Sequence, residues 1–417
     1  MTIRILSTTH VLLALLMAAT HSAVAQQRVT LPQAIAIALR DNPDALIARA
    51  NIDSARGERR IAVALPNPTV SGMPNTPYQY GVSVPLDIMP SRLYRTRAAS
   101  IGLGASTLDR SDLLRQLRLS VARAFLDVLL AQERRTLAQD RRASVLQVLV
   151  ADSARVRAGD APARNLVRSE VELARADAEH ARAEVDVQVA RGTLQAFMGV
   201  AHPDTGFVAA GSLAYRPLAT PPESLAVLAF HNRADLNATE QRVQGSREMQ
   251  HLAASLLLPT PVVSYVRQYT GPFESGHFYS FGLSFDLPIL NLRGGERERA
   301  AAGVASAQFA HDRTGIVVQR EVAAAEAEFR IQRALVERYE SGLLQHMDEG
   351  LSAVRYAYSR GASSLLDVLD AVRSHDEVRS DYVVALHDYW VSVYALNAAV
   401  GIDVFGVQGD ADPTRRP

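Results

Sequence analysis

The sequence predicts a mainly α-helical chain with a small β part. Its four short strands close a twelve-stranded barrel only between three copies, and a long coiled-coil barrel of helices continues it. Three observations predict this. Proline-free helical patterns run far longer than a globular domain is wide, short segments alternate strictly between apolar and small or polar residues, and the whole plan occurs twice.

The chain opens with an export signal. Met1 to Arg4 is a basic start, residues 11–19 an apolar core, and Ala23-Val-Ala25 a small-x-small cleavage site. Residues 1–25 therefore read as a secretory signal peptide. No later run reaches the ~20 apolar residues of a spanning helix, so any membrane crossing falls to strands.

Composition narrows the chemistry. The 417 residues carry 44 basic and 44 acidic side chains, so no net field argues for nucleic acid. Every one of those basic residues is Arg and none is Lys, which excludes a Walker-type phosphate loop and Schiff-base chemistry. There is no Cys, hence no disulfide, no thiolate metal site and no lipid anchor on cysteine. The 11 histidines are scattered, without His-Glu-x-x-His, and Gly-x-Ser-x-Gly is missing too. His375 and His387 read as ordinary residues of a long helix. No enzyme, metal or cofactor is expected.

The mature chain reads as two copies of one plan, 26–210 and 211–405, with a polar tail at 406–417 expected to be disordered. Pro32-Gln-Ala-Ile-Ala-Ile-Ala-Leu-Arg-Asp-Asn42 lines up with Pro222-Glu-Ser-Leu-Ala-Val-Leu-Ala-Phe-His-Asn232. Pro66-Asn-Pro68 matches Pro259-Thr-Pro261, Tyr80-Gly-Val-Ser-Val84 matches Phe281-Gly-Leu-Ser-Phe285, and Gly159 matches Gly361. Each copy begins with a helix, expected over 31–65 and 222–257, that stops at a Pro-x-Pro. Two strands follow, and then a very long helix. Between Pro90 and Pro162 there is no proline, and about 60 helical residues at ~1.5 Å each would span roughly 90 Å. Such a helix needs partners along its length, so coiled-coil packing follows. A shorter helix then returns, to about residue 198 in the first copy and about 400 in the second.

The strands carry the most specific signal. Over 278–287, Tyr279, Phe281, Leu283 and Phe285 fall on one face and Phe278, Ser280, Gly282 and Ser284 on the other. Over 78–87, Tyr80 and Val82 oppose Gln79, Gly81 and Ser83. Residues 262–270 and 69–73 alternate less clearly. A half-buried strand of a soluble sheet alternates in the same way, but these strands are too few for a sandwich. Four cannot enclose an open lumen, whereas three chains together supply twelve. A homotrimer is expected, with Tyr80, Val82, Tyr279, Phe281, Leu283 and Phe285 facing lipid.

The second long pattern, from about residue 296, turns at Gly361, which can take the positive φ that ends a helix. Ser363 or Ser364 can cap the returning helix, and Asp367 and Asp370 then lie one above the other on a single face. Ser364-Leu-Leu-Asp367 also has the form of a capping box, in which Asp367 serves the helix start.

On these residues the chain resembles the TolC family of outer-membrane efflux and secretion channels, over about 31–401. The resemblance rests on the duplicated plan, on Leu31-Pro-Gln-Ala-Ile-Ala-Ile-Ala-Leu-Arg-Asp-Asn-Pro43, and on the stretch 361–371. Phe285-Asp-Leu-Pro-Ile-Leu-Asn-Leu-Arg-Gly-Gly-Glu296 is similar to the segment where members leave the barrel. It leans toward the branch serving heavy-metal or other resistance-nodulation-division (RND) pumps.

The resemblance implies a passive trimeric channel in the cell outer membrane, extending into the periplasm and exporting drugs or metal ions. Residues 199–222 and the C-terminal end would form an equatorial belt. A periplasmic adaptor would meet the tips at Arg157, Gly159, Asp160, Arg360, Gly361 and Ser363, and couple the tube to an inner-membrane pump of RND type. Asp367 and Asp370 match aspartate rings at the periplasmic aperture, and Tyr358 matches a tyrosine that holds the tube closed. Asn165 stands where an aspartate can occur and Ser363 where an arginine can, so the family's salt-bridge lock does not carry over. Two alternatives are a conduit for type I protein secretion and a soluble periplasmic coiled-coil scaffold; the latter leaves the paired alternating strands unexplained.

Overall fold

The computed structural model describes residues 28–74, 78–87, 90–201, 207–269 and 277–407; the expected signal peptide and residues 408–417 of the tail lie outside them. The elements of the first copy are β1 (Arg28–Val29), α1 (Leu31–Asp41), α2 (Pro43–Val63), β2 (Thr69–Met73), β3 (Tyr78–Pro85), α3 (Pro90–Ala158) and α4 (Ala163–Phe197). Then come β4 (Val208–Ala209), α5 (Leu225–Asn232), α6 (Ala234–Ser255), β5 (Pro261–Tyr269), β6 (His277–Phe285) and α7 (Gly294–Arg338). A π-helical turn (Tyr339–Leu343), α8 (Leu344–Ser359) and α9 (Leu365–Val400) complete the chain. The fold is mainly helical with a small β part, as expected.

The helix that opens each copy is broken in two, where a single helix was expected. Pro43 disfavours helical backbone at the residue before it, and Asn42 sits at φ −64°, ψ 130°. Its side chain caps α2 by accepting from the Asp44 amide at 2.8 Å. In the second copy the break falls at Arg233, whose side chain is only 2 % exposed. It donates to both carboxylate oxygens of Asp235 (2.8 and 2.7 Å), to Glu321 (2.7 Å) and to the Ala399 carbonyl (3.1 Å). Burial works against its charge, but the two carboxylates outweigh it and raise its pKa.

Both breaks press on a left-handed glycine that ends the returning helix. At Gly199 (φ 77°) an added Cβ would stand 2.5 Å from the Asp41 carbonyl oxygen, and at Gly401 (φ 88°) 3.2 Å from that of Asn232. The same joint is thus built twice, and only glycine combines that φ with that approach.

A second difference from expectation lies between α7 and α8, which do not form one continuous helix. Gly342 adopts φ 116° within the π-helical turn. From α9, the Tyr382 hydroxyl donates to Glu340, and the Tyr339 and Tyr382 rings pack at 5.7 Å. A π-turn inserts a residue into the helical ladder, and glycine tolerates the backbone this requires.

The long hairpins follow a seven-residue repeat. Ala131, Ala138, Val145 and Asp152 on α3 are all buried, as are Ser169, Ala176 and Ala183 on α4. Val322, Phe329 and Val336 repeat in the same way on α7. That spacing is the seam of left-handed coiled coils, and its small residues let helix axes approach closely. Nearer the sheet end, α1, the middle of α3 and the C-terminal half of α9 share one core around Phe125, Tyr389 and Trp390. The segment between the copies is tied to that core. Trp390 Nε1 donates to the Ala214 carbonyl and the Tyr389 hydroxyl to that of Arg216, both at 2.9 Å, while β4 pairs with β1 in parallel.

The four long strands form one antiparallel sheet in the order β2-β3-β5-β6, so the two copies join at β3 and β5. Val82 pairs with Tyr265, and Tyr265 with Phe281. This register gathers Val70, Tyr80, Val82, Val263, Tyr265, Tyr279, Phe281, Leu283 and Phe285 on one face. Ser71, Gly81, Ser83, Ser264, Gly282 and Ser284 share the other. In the single chain β2 and β6 are edges. Beyond β6, Leu287, Ile289, Leu290 and Leu292 are exposed, Leu290 fully. Among the described residues no helix is long and apolar enough to cross a membrane.

Candidate aperture at the helical tips

The two hairpin turns are near copies. Gly159 (φ 82°) closes the first with its amide on the Val156 carbonyl at 3.1 Å and the Asp160 amide on that of Arg155 at 2.9 Å. Gly361 (φ 75°) closes the second in the same way, on Tyr358 at 3.0 Å, with Ala362 on Ala357 at 2.9 Å. These paired bonds satisfy the last carbonyls of each helix. Arg157, Gly159, Asp160, Arg360 and Gly361 are exposed at the tips, and Ser363 is half-buried. Arg360 lies over the Tyr356 ring at 5.4 Å.

The Tyr358 hydroxyl donates to Asp152 Oδ1 at 2.6 Å, and the Arg155 guanidinium lies over its ring at 5.0 Å. Asp152 is fully buried and accepts a second hydrogen bond at Oδ2 from the buried Ser169 hydroxyl. One carboxylate therefore joins α3, α4 and α8. Both its oxygens are satisfied, which a buried charge requires. Burial, and then the Asp152 carboxylate, push the Tyr358 phenol above its ordinary pKa, so it remains a donor well past neutral pH. Below the bond, Tyr358 packs with Val148, Leu351, Val354, Val368 and Val372 in a small separate core.

Asp367 and Asp370 lie on the exposed face of α9, away from that core. Asp367 also serves the helix start. Its Oδ2 accepts from the Ser364 amide (2.8 Å), the Ser364 hydroxyl (2.8 Å) and the Ser363 hydroxyl (3.1 Å). The Ser364 amide, followed by the two hydroxyls, holds its pKa below the usual carboxylate value. Asp370 accepts no hydrogen bond among those of the described residues and is left to face outward. Asn165 is half-buried at the start of α4, its backbone amide on the Pro162 carbonyl at 3.0 Å.

Further contacts tie the second hairpin to the first. Arg355 reaches Ser144 at 3.4 Å, and Arg373 approaches Glu172 at 3.9 Å. Arg141 bridges Glu179 at 2.9 Å and Asp376 at 3.9 Å. Within the second hairpin, His375 stands between Asp348 (2.7 Å) and Asp376 (3.3 Å). Higher up, His387 stands between Asp127 (2.8 Å) and Asp388 (2.9 Å). Among the described residues no group of three or more side chains could hold a metal ion.

Asp152 is the residue that reasoning from sequence passed over. Its signal was present: it occupies the fourth position of the seven-residue series from Ala131, where an apolar residue belongs. At the sheet end, Tyr80, Val82, Tyr279, Phe281, Leu283 and Phe285 share one face and all are exposed in the single chain.

Residues 34–200 and 225–402 match the family model described as Outer membrane efflux protein. The chain is 24 % identical over 385 residues to the cobalt-zinc-cadmium resistance protein CzcC of Cupriavidus metallidurans, covering 89 % of this chain and 90 % of that protein. Among solved structures it is similar to CusC, with a TM-score of 0.77 at 17 % identity over 89 % of this chain and 92 % of that one. It is likewise similar to the open-state MtrE outer membrane channel of Neisseria gonorrhoeae, with a TM-score of 0.75 at 21 % identity over 92 % and 91 % of the two chains.

Proposed function

The chain belongs to the outer membrane efflux protein family, and we propose that it forms one third of a passive conduit for small solutes, heavy-metal cations first among them. The observation that carries this reading is the sheet. It has an apolar, aromatic face, an opposite face where serine and glycine mix with Gln79, Val262, Val266, Gln268 and Phe278, and two edge strands whose outer sides have no partner among the described residues. Open edges must be paired or covered, and pairing β6 of one copy with β2 of the next closes a twelve-stranded ring in three steps. The apolar face then meets lipid, and the opposite face lines a lumen.

The helical hairpins continue the tube into the periplasm, where their exposed tips meet an adaptor. Energy comes from an inner-membrane pump of RND type. At the tips, three-fold symmetry would gather Asp367 and Asp370 into carboxylate rings that favour cations. The Tyr358–Asp152 bond holds the second hairpin against the first in the resting tube, and opening moves that hairpin away. The similarity to CzcC supports metal cations as cargo.

The test has two arms. Reconstituted mature protein should give small, cation-selective single-channel currents in a planar bilayer. In a strain lacking the gene, restoring it should raise tolerance to zinc, cobalt or cadmium. Rescue of dye or drug tolerance alone would reassign the cargo, and a protein that leaves membranes in urea without detergent would overturn the channel reading.

A further inference from the structure

Arg267 is the one Arg, Lys, Asp or Glu in the four long strands, and it lies on their apolar face. It stands on β5, between β3 and β6, in register with Tyr80 on one side and Tyr279 on the other. Its guanidinium lies over the Tyr269 ring at 4.8 Å and the Tyr279 ring at 5.5 Å. Its Nε is buried without a hydrogen-bond partner, and no carboxylate of the described residues pairs with it. Closing a ring through β2 and β6 would leave these in-sheet neighbours unchanged, because both belong to the same chain.

The position along the strand matters as much as the face. The chain enters β2 from α2 and leaves β6 toward α7, so the helices adjoin the Pro261 and Phe285 end of the sheet. Arg267 lies toward the opposite end, about 7 Å short of Tyr269, where the strand stops. Tyr78, Tyr80, Tyr269 and Tyr279 surround that level, as aromatic residues do at a membrane interface. A charged side chain on the lipid face is costly at mid-membrane and nearly free at headgroup level. An aromatic frame alone would explain a stacked cation, but it leaves the two terminal nitrogens without an acceptor among the described residues.

We propose that Arg267, framed by Tyr269 and Tyr279, binds a phosphate of an anionic lipid headgroup at the outer rim of the barrel. The guanidinium fork matches phosphate oxygens two at a time, here through its two terminal nitrogens, because Nε is itself closed off from solvent. The inference rests on the barrel reading given above.

Native mass spectrometry of the detergent-purified protein tests it, by titration with a phosphorylated glycolipid and with the same lipid after phosphatase treatment. One charged contact at a membrane surface corresponds to a preference of about fivefold for the phosphorylated form. Arg267→Gln should abolish the preference, and Arg267→Lys should keep part of it. Equal binding of both lipids by the unaltered protein overturns the proposal, whether or not the variants fold. So does a preference retained in Arg267→Gln. Displacement of the lipid by millimolar inorganic phosphate would assign the site to a soluble anion and overturn the lipid assignment. A chain that never needs detergent would instead refute the barrel itself.

Discussion

The Tyr358 hydroxyl donates a 2.6 Å hydrogen bond to Asp152, a carboxylate buried at the tip end of the α3 seam. Tyr358 belongs to the second hairpin and Asp152 to the first, so this bond crosses the gap that an opening tube would widen. Ser169 completes the carboxylate from α4. Removing the tyrosine hydroxyl leaves a buried anion with one partner fewer.

Tyr358→Phe should therefore weaken the closed tip by roughly 1.5–3 kcal/mol, the worth of a hydrogen bond to a charged group. Single-channel conductance should rise, while the protein still assembles. Conductance equal to that of the unaltered protein would show that the bond does not hold the aperture.

The two exposed aspartates should separate by function. Asp370→Asn should lower cation selectivity and leave thermal stability unchanged, because Asp370 accepts no hydrogen bond among the described residues. Asp367→Asn should lower both, since that carboxylate also caps α9 through Ser363 and Ser364. Reversal potentials across a salt gradient measure the first effect and thermal melts the second. Unchanged selectivity in the double variant would remove both residues from the aperture.

Gly199→Ala should destabilise the chain by at least about 1–2 kcal/mol, the cost of a left-handed alanine alone. The added methyl would also sit 2.5 Å from the Asp41 carbonyl oxygen, which is backbone and cannot swing aside. Gly159→Ala shares the positive φ but meets no atom within 4 Å, so its melting temperature should fall less.

His387 should make the packing of α9 on α3 depend on pH. Burial disfavours its charged form, but hydrogen bonds to Asp127 and Asp388 outweigh burial and raise its pKa above the usual value of about 6.5. A raised histidine pKa contributes stability that is complete below about pH 6.5 and is lost as pH climbs through the folded-state value. His387→Gln should flatten that part of the stability-versus-pH curve. An unchanged slope would show that the histidine does not control it.

Cysteines placed on the two sheet edges should cross-link only between copies. Val70→Cys on β2 combined with Phe281→Cys or Leu283→Cys on β6 should give an oxidised band at three times the chain mass. The native chain has no cysteine to confuse the result. Pairing at about 5 Å puts one of the two combinations within reach. Monomer alone under both would count against closure of the ring at these edges.

Much of the fold was legible because its signals are local. Alternation in 278–287, the Pro-x-Pro stops and the turn glycines are properties of a few neighbouring residues. The broken opening helices were less legible. Pro43 announced one break, but the other depends on Arg233 meeting Glu321 and Ala399, residues far along the chain. The π-turn at Gly342 was missed because a glycine within a helical pattern does not say which backbone it takes. Tyr358 was singled out, but no partner was assigned to it, because Asn165 and Ser363 depart from the family's lock. Asp152 was visible only as an acid in an apolar series.

The sequence by itself determined the secondary structure classes, the duplicated plan, the chemistry excluded by missing lysine and cysteine, and the apolar face of the strands. Periodicity, turn residues and composition are fixed within a short window of chain, so they can be read before folding. Tertiary structure alone decided which carboxylate answers Tyr358, how Arg233 is neutralised, and that Arg267 stands framed by Tyr269 and Tyr279. These choices depend on which helices and strands become neighbours, and therefore on packing across hundreds of residues that no local pattern encodes.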